Sequence, residues 1–406
     1  MTVIIGDTLK SIAKGVSAIF KGSLDQREYH SFRKSLPKGC MYLFTLIYAI
    51  MTIIRIIYPI HNVPMKYTWA ELLINYQGGF IRRGLLGEIL FRLQPVIPSV
   101  VVAGILIFCG YCLFTYLVLK LLSDDAPLIV FSFFVFSPGG FLFPVYEPTV
   151  FGRKEVFFFL AFALVIFAYK NFSDNRVKVC SFIALYTIST LIHEGAIFFA
   201  PLARCLLVFS IGEHKKHLRL KVLCPLLFYV FALALFLAFS VDRNYDTSYI
   251  IKSWSPYFPN IDAEGALGYL SQGFETLRVV RHKVVNFNQF TGPFLVDFCL
   301  AFLPIILLLI HTNHLEFFGT LRRNEPVFFL FTIASLLAPF VLFIFAADWG
   351  RVIYFVSMHT FIFLIALNSF GLVEYKATVP ITSYQWKIQN VFFLYYALLW
   401  RMPHLR

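Results

Sequence analysis

Asp348-Trp349-Gly350-Arg351 places a carboxylate and a guanidinium three residues apart between two long apolar runs, 327–347 and 352–372. Residues i and i+3 share a helix face, so the two side chains can pair. Ionisable groups bordering hydrocarbon are costly and mark either a site or a tight pair. Two readings follow. The pair closes the mouth of a helix, or Arg351 holds a phosphate while Asp348 orients it or activates a hydroxyl.

Three more constellations have the same character. Gly78-Gly79-Phe80-Ile81-Arg82-Arg83-Gly84 sets two guanidiniums between glycines. Guanidinium presents paired donors that match phosphate oxygens, and glycine lets the backbone bend closely round a ligand. A snorkelling anchor on lipid phosphates would explain the charge but not the bracketing glycines. His193-Glu194 falls between two short apolar segments, where a break at membrane depth often opens onto a cavity. A glutamate buried there is expected to have a raised pKa and to exchange a proton, with His193 hydrogen-bonding the attacking or leaving oxygen. The plainer alternative is a pair that satisfies a helix end. Glu147 and Arg153-Lys154-Glu155 share a short turn dense in charge, either a solvated loop or part of the same phosphate site. Arg281 joins the candidate phosphate ligands, from a second long loop.

The elements that must position these residues follow from composition. The chain has 406 residues, 59% hydrophobic and 14% charged, with 49 phenylalanines. Soluble domains carry about 25% charged residues. Apolar stretches near the ~20 residues that cross a bilayer recur throughout. The expectation is an all-α, polytopic transmembrane bundle of about eleven spans: 40–60, 96–122, 127–145, 156–169, 179–192, 196–211, 222–241, 293–311, 327–347, 352–372 and 391–400. Residues 1–39 read as a retained cytoplasmic segment, 40–400 as the membrane domain, and 401–406 as a tail. With the N-terminus inside, the excess of lysine and arginine falls on inner loops such as 170–178 and 213–221, as the positive-inside rule requires. The constellations above then gather on the outer face, with two long loops, 61–94 and 242–291. Connections of that length are usually functional. Tyrosines and the tryptophan of the second are candidates to stack on sugars.

The net charge of +13 is spread over loops, which suits anionic headgroups and gives no footprint for nucleic acid. The seven cysteines lie almost wholly in apolar runs without metal spacing and read as small buried residues. Phosphate-binding loops of the nucleotide hydrolase type, dinucleotide fingerprints and serine hydrolase signatures are absent from the sequence. Energy for any synthesis must therefore arrive with the substrate, as an activated phosphate ester.

Taken together, the Gly-Gly-Phe-Ile-Arg-Arg-Gly stretch, the His-Glu pair and the late Asp-Trp-Gly-Arg resemble polytopic bacterial envelope-glycan proteins. These are the O-antigen and capsule polymerases and the related multi-spanning glycosyltransferases of GT-C type. The resemblance implies an inner-membrane enzyme of lipopolysaccharide or capsule synthesis. Its substrate would be an undecaprenyl-pyrophosphate-linked glycan at the periplasmic face, with membrane lipids around it and a chain-length regulator as partner. It implies no metal and no cofactor. On it, Arg82, Arg83 and Arg351 hold phosphate, while His193, Glu194 and Asp348 supply the base or orient the acceptor. Many GT-C enzymes carry an acidic pair early in the first outer loop, whereas here Glu71 stands alone and Glu88 follows later, which favours the polymerase branch. A lipid or glycan flippase is the rival of a different class; it predicts inverted repeats and charges spread through the spans.

Overall fold

A computed structural model describes residues 26–57, 67–122, 126–147, 149–211, 229–231, 234, 246–258, 266–270, 292–345, 348–376 and 391–402. Among them regular structure is helical, with one isolated antiparallel bridge between Thr312 and Tyr375 and no strand. Arg281 and all of the expected span 222–241 except residues 229–231 and 234 lie outside the described residues.

Among the described residues, three helices are long and apolar enough to cross a membrane. The first is α1 (Gln26–Thr52), whose apolar part continues through a wide π turn to Ile57. After α2 (Tyr67–Leu72) and α3 (Gly84–Leu93) comes the second, α4 (Ser99–Leu121). The third, α17 (Trp349–Ser369), is the central one: 83% of its apolar window is buried, against 28% for α1. A helix apolar on every face belongs inside a bundle. By contrast α1 and its π turn carry Leu43, Leu46, Ile50, Ile53 and Ile54 outward, the lipid-facing pattern.

Several other expected spans are interrupted, because the apolar runs contain helix breakers that hydropathy averages over. Run 127–145 forms α5 (Leu128–Val135), a buried turn at Ser137-Pro138-Gly139-Gly140, and the single-turn α6 (Phe143–Tyr146). Proline lacks the N–H that an uninterrupted helix would use there. Backbone freed in this way must be satisfied from elsewhere. Gly140 N–H donates to Ser137 O, Ser357 Oγ donates to Gly139 O, and the Ser137 hydroxyl shares a 2.7 Å bond with Tyr396. The segment carrying Tyr396 is fastened further: Tyr146 OH donates to Ala397 O, Trp400 Nε1 to Asp297, and the Arg401 guanidinium lies 3.5 Å from the Tyr146 ring.

Further along come α7 (Glu155–Asn171) and α8 (Asn175–Ile192), which pack on each other, then a 3-10 turn (Glu194–Phe199) and α9 (Ala200–Ser210). Two short helices, α10 (Ser248–Trp254) and α11 (Ala266–Leu270), precede α12 (Gly292–Leu300) and α13 (Leu303–Ile310). The bundle continues with α14 (His314–Asn324), α15 (Pro326–Leu337), a 3-10 turn at Ala338–Val341 and α16 (Leu342–Phe345). Run 293–311 is thus two helices and run 327–347 three pieces.

Residues 246–258 of the second loop pack back on the described part of loop 61–94. Trp254 is fully buried, edge-on to Phe91, and its Nε1 donates to Leu73 O; Asn75 Nδ2 donates to Ser253 Oγ. The tryptophan expected to face sugar therefore joins the two loops, whereas Tyr249 and Tyr257 are exposed. The cysteines also divide: Cys40 and Cys205 are buried as expected, while Cys109, Cys180 and Cys299 face outward from the bundle.

Candidate functional site

Four separated segments bring their charged residues to one place. The loop after α2 supplies Arg82 and Arg83, with Glu71 from α2 itself. The turn before α7 supplies Arg153, Lys154 and Glu155, the break after α8 supplies His193 and Glu194, and the start of α17 supplies Asp348 and Arg351.

Arg83 is the hub. Its Nη1 donates to Glu71 at 2.9 Å, and its Nε and Nη2 donate to Glu194 at 2.5 to 2.9 Å. Lys154 Nζ donates to its carbonyl oxygen at 2.6 Å. Its φ of +66 is, among the described residues, the one left-handed backbone outside glycine. Such a conformation costs about 1–3 kcal/mol and persists only where the surroundings over-determine it. The ion pairs and the lysine bond supply that determination. Loop geometry is set by close packing as well. A Cβ on Gly87 would fall 2.0 Å from Ile74 O, so α3 lies directly against the backbone that follows α2. A Cβ on Gly84 would strike the Tyr76 ring, so that glycine serves packing and leaves only Gly78 and Gly79 to bend freely. Glu88 accepts from Tyr76 N and Gln77 Nε2, fastening the turn from outside the cluster.

His193 caps the 3-10 turn: its Nδ1 accepts from Gly195 N at 3.0 Å. The ring proton must then sit on Nε2, which lies 3.7 Å from Glu71 Oε1, beyond hydrogen-bond distance. Burial, then the Arg83 charge, push its pKa down to about 4, so the ring is a neutral donor and not a free base. Asp348 caps α17 by accepting from Arg351 N at 3.2 Å, and its carboxylate lies 3.6 Å from Arg351 Nε. The i, i+3 pair and the helix cap are thus the same residue. Arg351 Nη1 also reaches Glu155 at 3.1 Å.

The cluster has a rim and a floor. Arg82, Arg83, Glu194, Asp348 and Arg351 keep 13–20% of their side chains exposed, whereas Glu71 and Glu155 keep 1–2%. Titration does not follow that division. Burial alone would raise Glu194, but Arg83, His193 and Arg82 hold it well below the usual range. This reverses the expectation of a raised Glu194. Glu71 is likewise lowered, its burial outweighed by Arg83 and the cations behind it. The raised carboxyl is Glu155, pushed to about 8 by burial and then by the Glu71 charge. Lys154, fully buried, is pushed down to about 7, chiefly by desolvation.

Comparisons with protein-family models, curated proteins and solved structures give no match.

Among the described residues no group of three or more His, Cys, Asp and Glu is arranged to hold a metal ion. Of the candidate phosphate ligands, Arg82 is 3.6 Å from Glu194, Arg153 Nε donates to Thr149 O, and Glu147 accepts from Thr149 Oγ1 on its own turn. Arg83 has every nitrogen engaged by carboxylates, so it positions the cluster, while Arg82 and Arg351 offer guanidinium at the rim. Sequence reasoning named Glu71 and Glu155 but placed neither among the site residues. For Glu155 the signal was available: a third charge beside Arg153-Lys154 at the head of an apolar run.

Proposed function

We propose that the chain is a polytopic inner-membrane enzyme, a bundle of about eleven spans, that joins undecaprenyl-pyrophosphate-linked sugar repeat units at the periplasmic face. One observation carries the reading: arginines from three distant segments meet carboxylates and a histidine in a single half-open cluster. Arg82 and Arg351 at the rim would neutralise the pyrophosphate as the glycosidic bond breaks, stabilisation aimed where negative charge develops. Asp348, the rim carboxylate not saturated by Arg83, would take the proton from the attacking sugar hydroxyl. Glu71 and Glu194 hold Arg83, and through it the loop that presents Arg82.

A second reading has an observation of its own. Glu71, the acidic residue of the first outer loop, is drawn into the cluster, which favours a transferase of GT-C type using a polyprenyl-phosphate sugar. A flippase is less well supported, because the charges converge in one place instead of lining a path.

The test keeps charge and removes paired donors. Arg82→Lys or Arg351→Lys in the producing strain should abolish long polysaccharide chains at unchanged protein level. An unaltered chain-length ladder would refute the polymerase. Loss of single-sugar addition, with the repeat unit left incomplete, would favour the transferase. Lipid-linked repeat trapped on the cytoplasmic leaflet after gene deletion would favour the flippase.

A further inference from the structure

One carboxyl group in the cluster is unlike the other three. Glu71 and Glu194 accept hydrogen bonds from Arg83, and Asp348 accepts from the α17 backbone. Glu155, 2% exposed, accepts no side-chain hydrogen bond at either oxygen. Its close neighbour Arg351 lies 3.1 Å away but outside bonding geometry, and Arg351 Nε and Nη1 are themselves buried without hydrogen-bond partners. A guanidinium and a carboxyl in contact but poorly bonded compensate little of their desolvation. Donors left over on Arg351 are donors available to another anion. Because Arg351 reaches the rim and Glu155 lies behind it, a ligand entering from the rim meets the guanidinium first.

We propose that Glu155 is a place-holder on Arg351, displaced by the phosphate group of an incoming ligand and protonated as it is displaced. The inference rests on the phosphate reading above and adds to it that binding is proton-linked. The charged and titratable groups facing Glu155 are Arg351 and Tyr354 on α17, Arg153 and Lys154 on its own turn, Glu71 on α2, Arg83 before α3, and Tyr111 on α4. One of these, Arg351, is a cation that an arriving phosphate would occupy, the other phosphate-binding guanidinium being Arg82 at the rim. A phosphate bearing two negative charges then stands next to the carboxyl in a poorly hydrated pocket and raises its proton affinity further. Lys154 stays tied to the Arg83 carbonyl through its Nζ.

The experiment uses the full chain in lipid nanodiscs, with inorganic pyrophosphate as probe. Calorimetric titrations are run at pH 6 and pH 9 in buffers of differing ionisation enthalpy, for the unmodified protein and for Glu155→Gln. With the carboxyl at about 8, protonating it at pH 9 weakens binding about tenfold, since each unit of pH is a factor of ten. Glu155→Gln should therefore bind pyrophosphate about tenfold tighter at pH 9 and within about twofold at pH 6. The unmodified protein should take up about one proton more per pyrophosphate than the variant at pH 9. Equal affinities and equal proton counts at both pH values would overturn the place-holder and leave the phosphate site standing. No binding to the unmodified protein at either pH would overturn the phosphate site itself. Should Glu155→Gln not fold, the buffer series on the unmodified protein, corrected for the titration of pyrophosphate, decides the same question.

Discussion

Replacing Arg83 by glutamine tests whether this residue holds the cluster together. The substitution leaves Glu71, 1% exposed at its side chain, and Glu194, 17% exposed, without their nearest counter-ion. Removing one partner of a buried ion pair costs about 3–5 kcal/mol. Arg83 itself is 20% exposed, so solvent screens part of the loss and about 3 kcal/mol is the working figure. Glutamine gains nothing from the backbone, because it is no more at ease at φ +66 than arginine is. In a Glu194→Gln background the same change should cost about 1 kcal/mol, a coupling of about 2 kcal/mol. The sign with pH follows from the lowered Glu71 and Glu194. Their contribution is present above the ordinary carboxylate value of 4.5 and is lost as pH falls through the lowered folded value. The cost of Arg83→Gln should thus shrink in acid. Reversible denaturation in detergent micelles at pH 7 and pH 4 measures both quantities. A loss below about 1 kcal/mol, or additivity within about 0.5 kcal/mol in the double variant, would refute Arg83 as the hub.

Other consequences are as specific. Gly87→Ala places a methyl group 2.0 Å from Ile74 O and should destabilise by about 1–3 kcal/mol, whereas Gly319→Ala, with nothing within 4 Å, should be neutral or stabilise by up to about 1 kcal/mol; melting of the two variants side by side decides it. Lys154 titrates near 7 when folded and at 10.5 when free, so its charging penalty is complete below pH 7 and vanishes as pH rises to 10.5. Lys154→Met should therefore raise the melting temperature more at pH 6 than at pH 10, and a pH-independent difference would refute the buried lysine. Asp348→Ala removes the α17 cap and should cost about 1 kcal/mol, while Asp348→Asn keeps an accepting oxygen and most of that stability; equal losses in thermal melts would mean that charge and not capping holds the helix start.

How much was legible beforehand depended on whether a signal was local. The motifs carrying Arg82, His193-Glu194 and Asp348-Arg351 stood out because charge beside hydrocarbon is improbable without cause, and the structure brings these residues together. Glu71 did not stand out, since one acid in an amphipathic stretch reads as solvated until Arg83 is folded onto it. The left-handed backbone of Arg83 had no signal, because glycine flanked it on the wrong side. Helix breaks were legible in principle at Ser137-Pro138-Gly139-Gly140, yet the phenylalanines around them dominate any averaged hydropathy. Roles within the cluster were the least legible. Which carboxyl is saturated and which is left over depends on donor geometry among segments far apart in sequence.

The bond between Ser137 and Tyr396 joins residues 259 positions apart. A ribosome that has just inserted α5 leaves the serine hydroxyl and the opened turn beside it waiting until most of the remaining polypeptide has been made. Through that interval the nascent bundle carries a polar seam in a solvent that cannot wet it. Insertion factors and quality-control proteases would meet the chain there, so a variant such as Tyr396→Phe is expected to show itself first as reduced abundance, before any defect in the finished molecule.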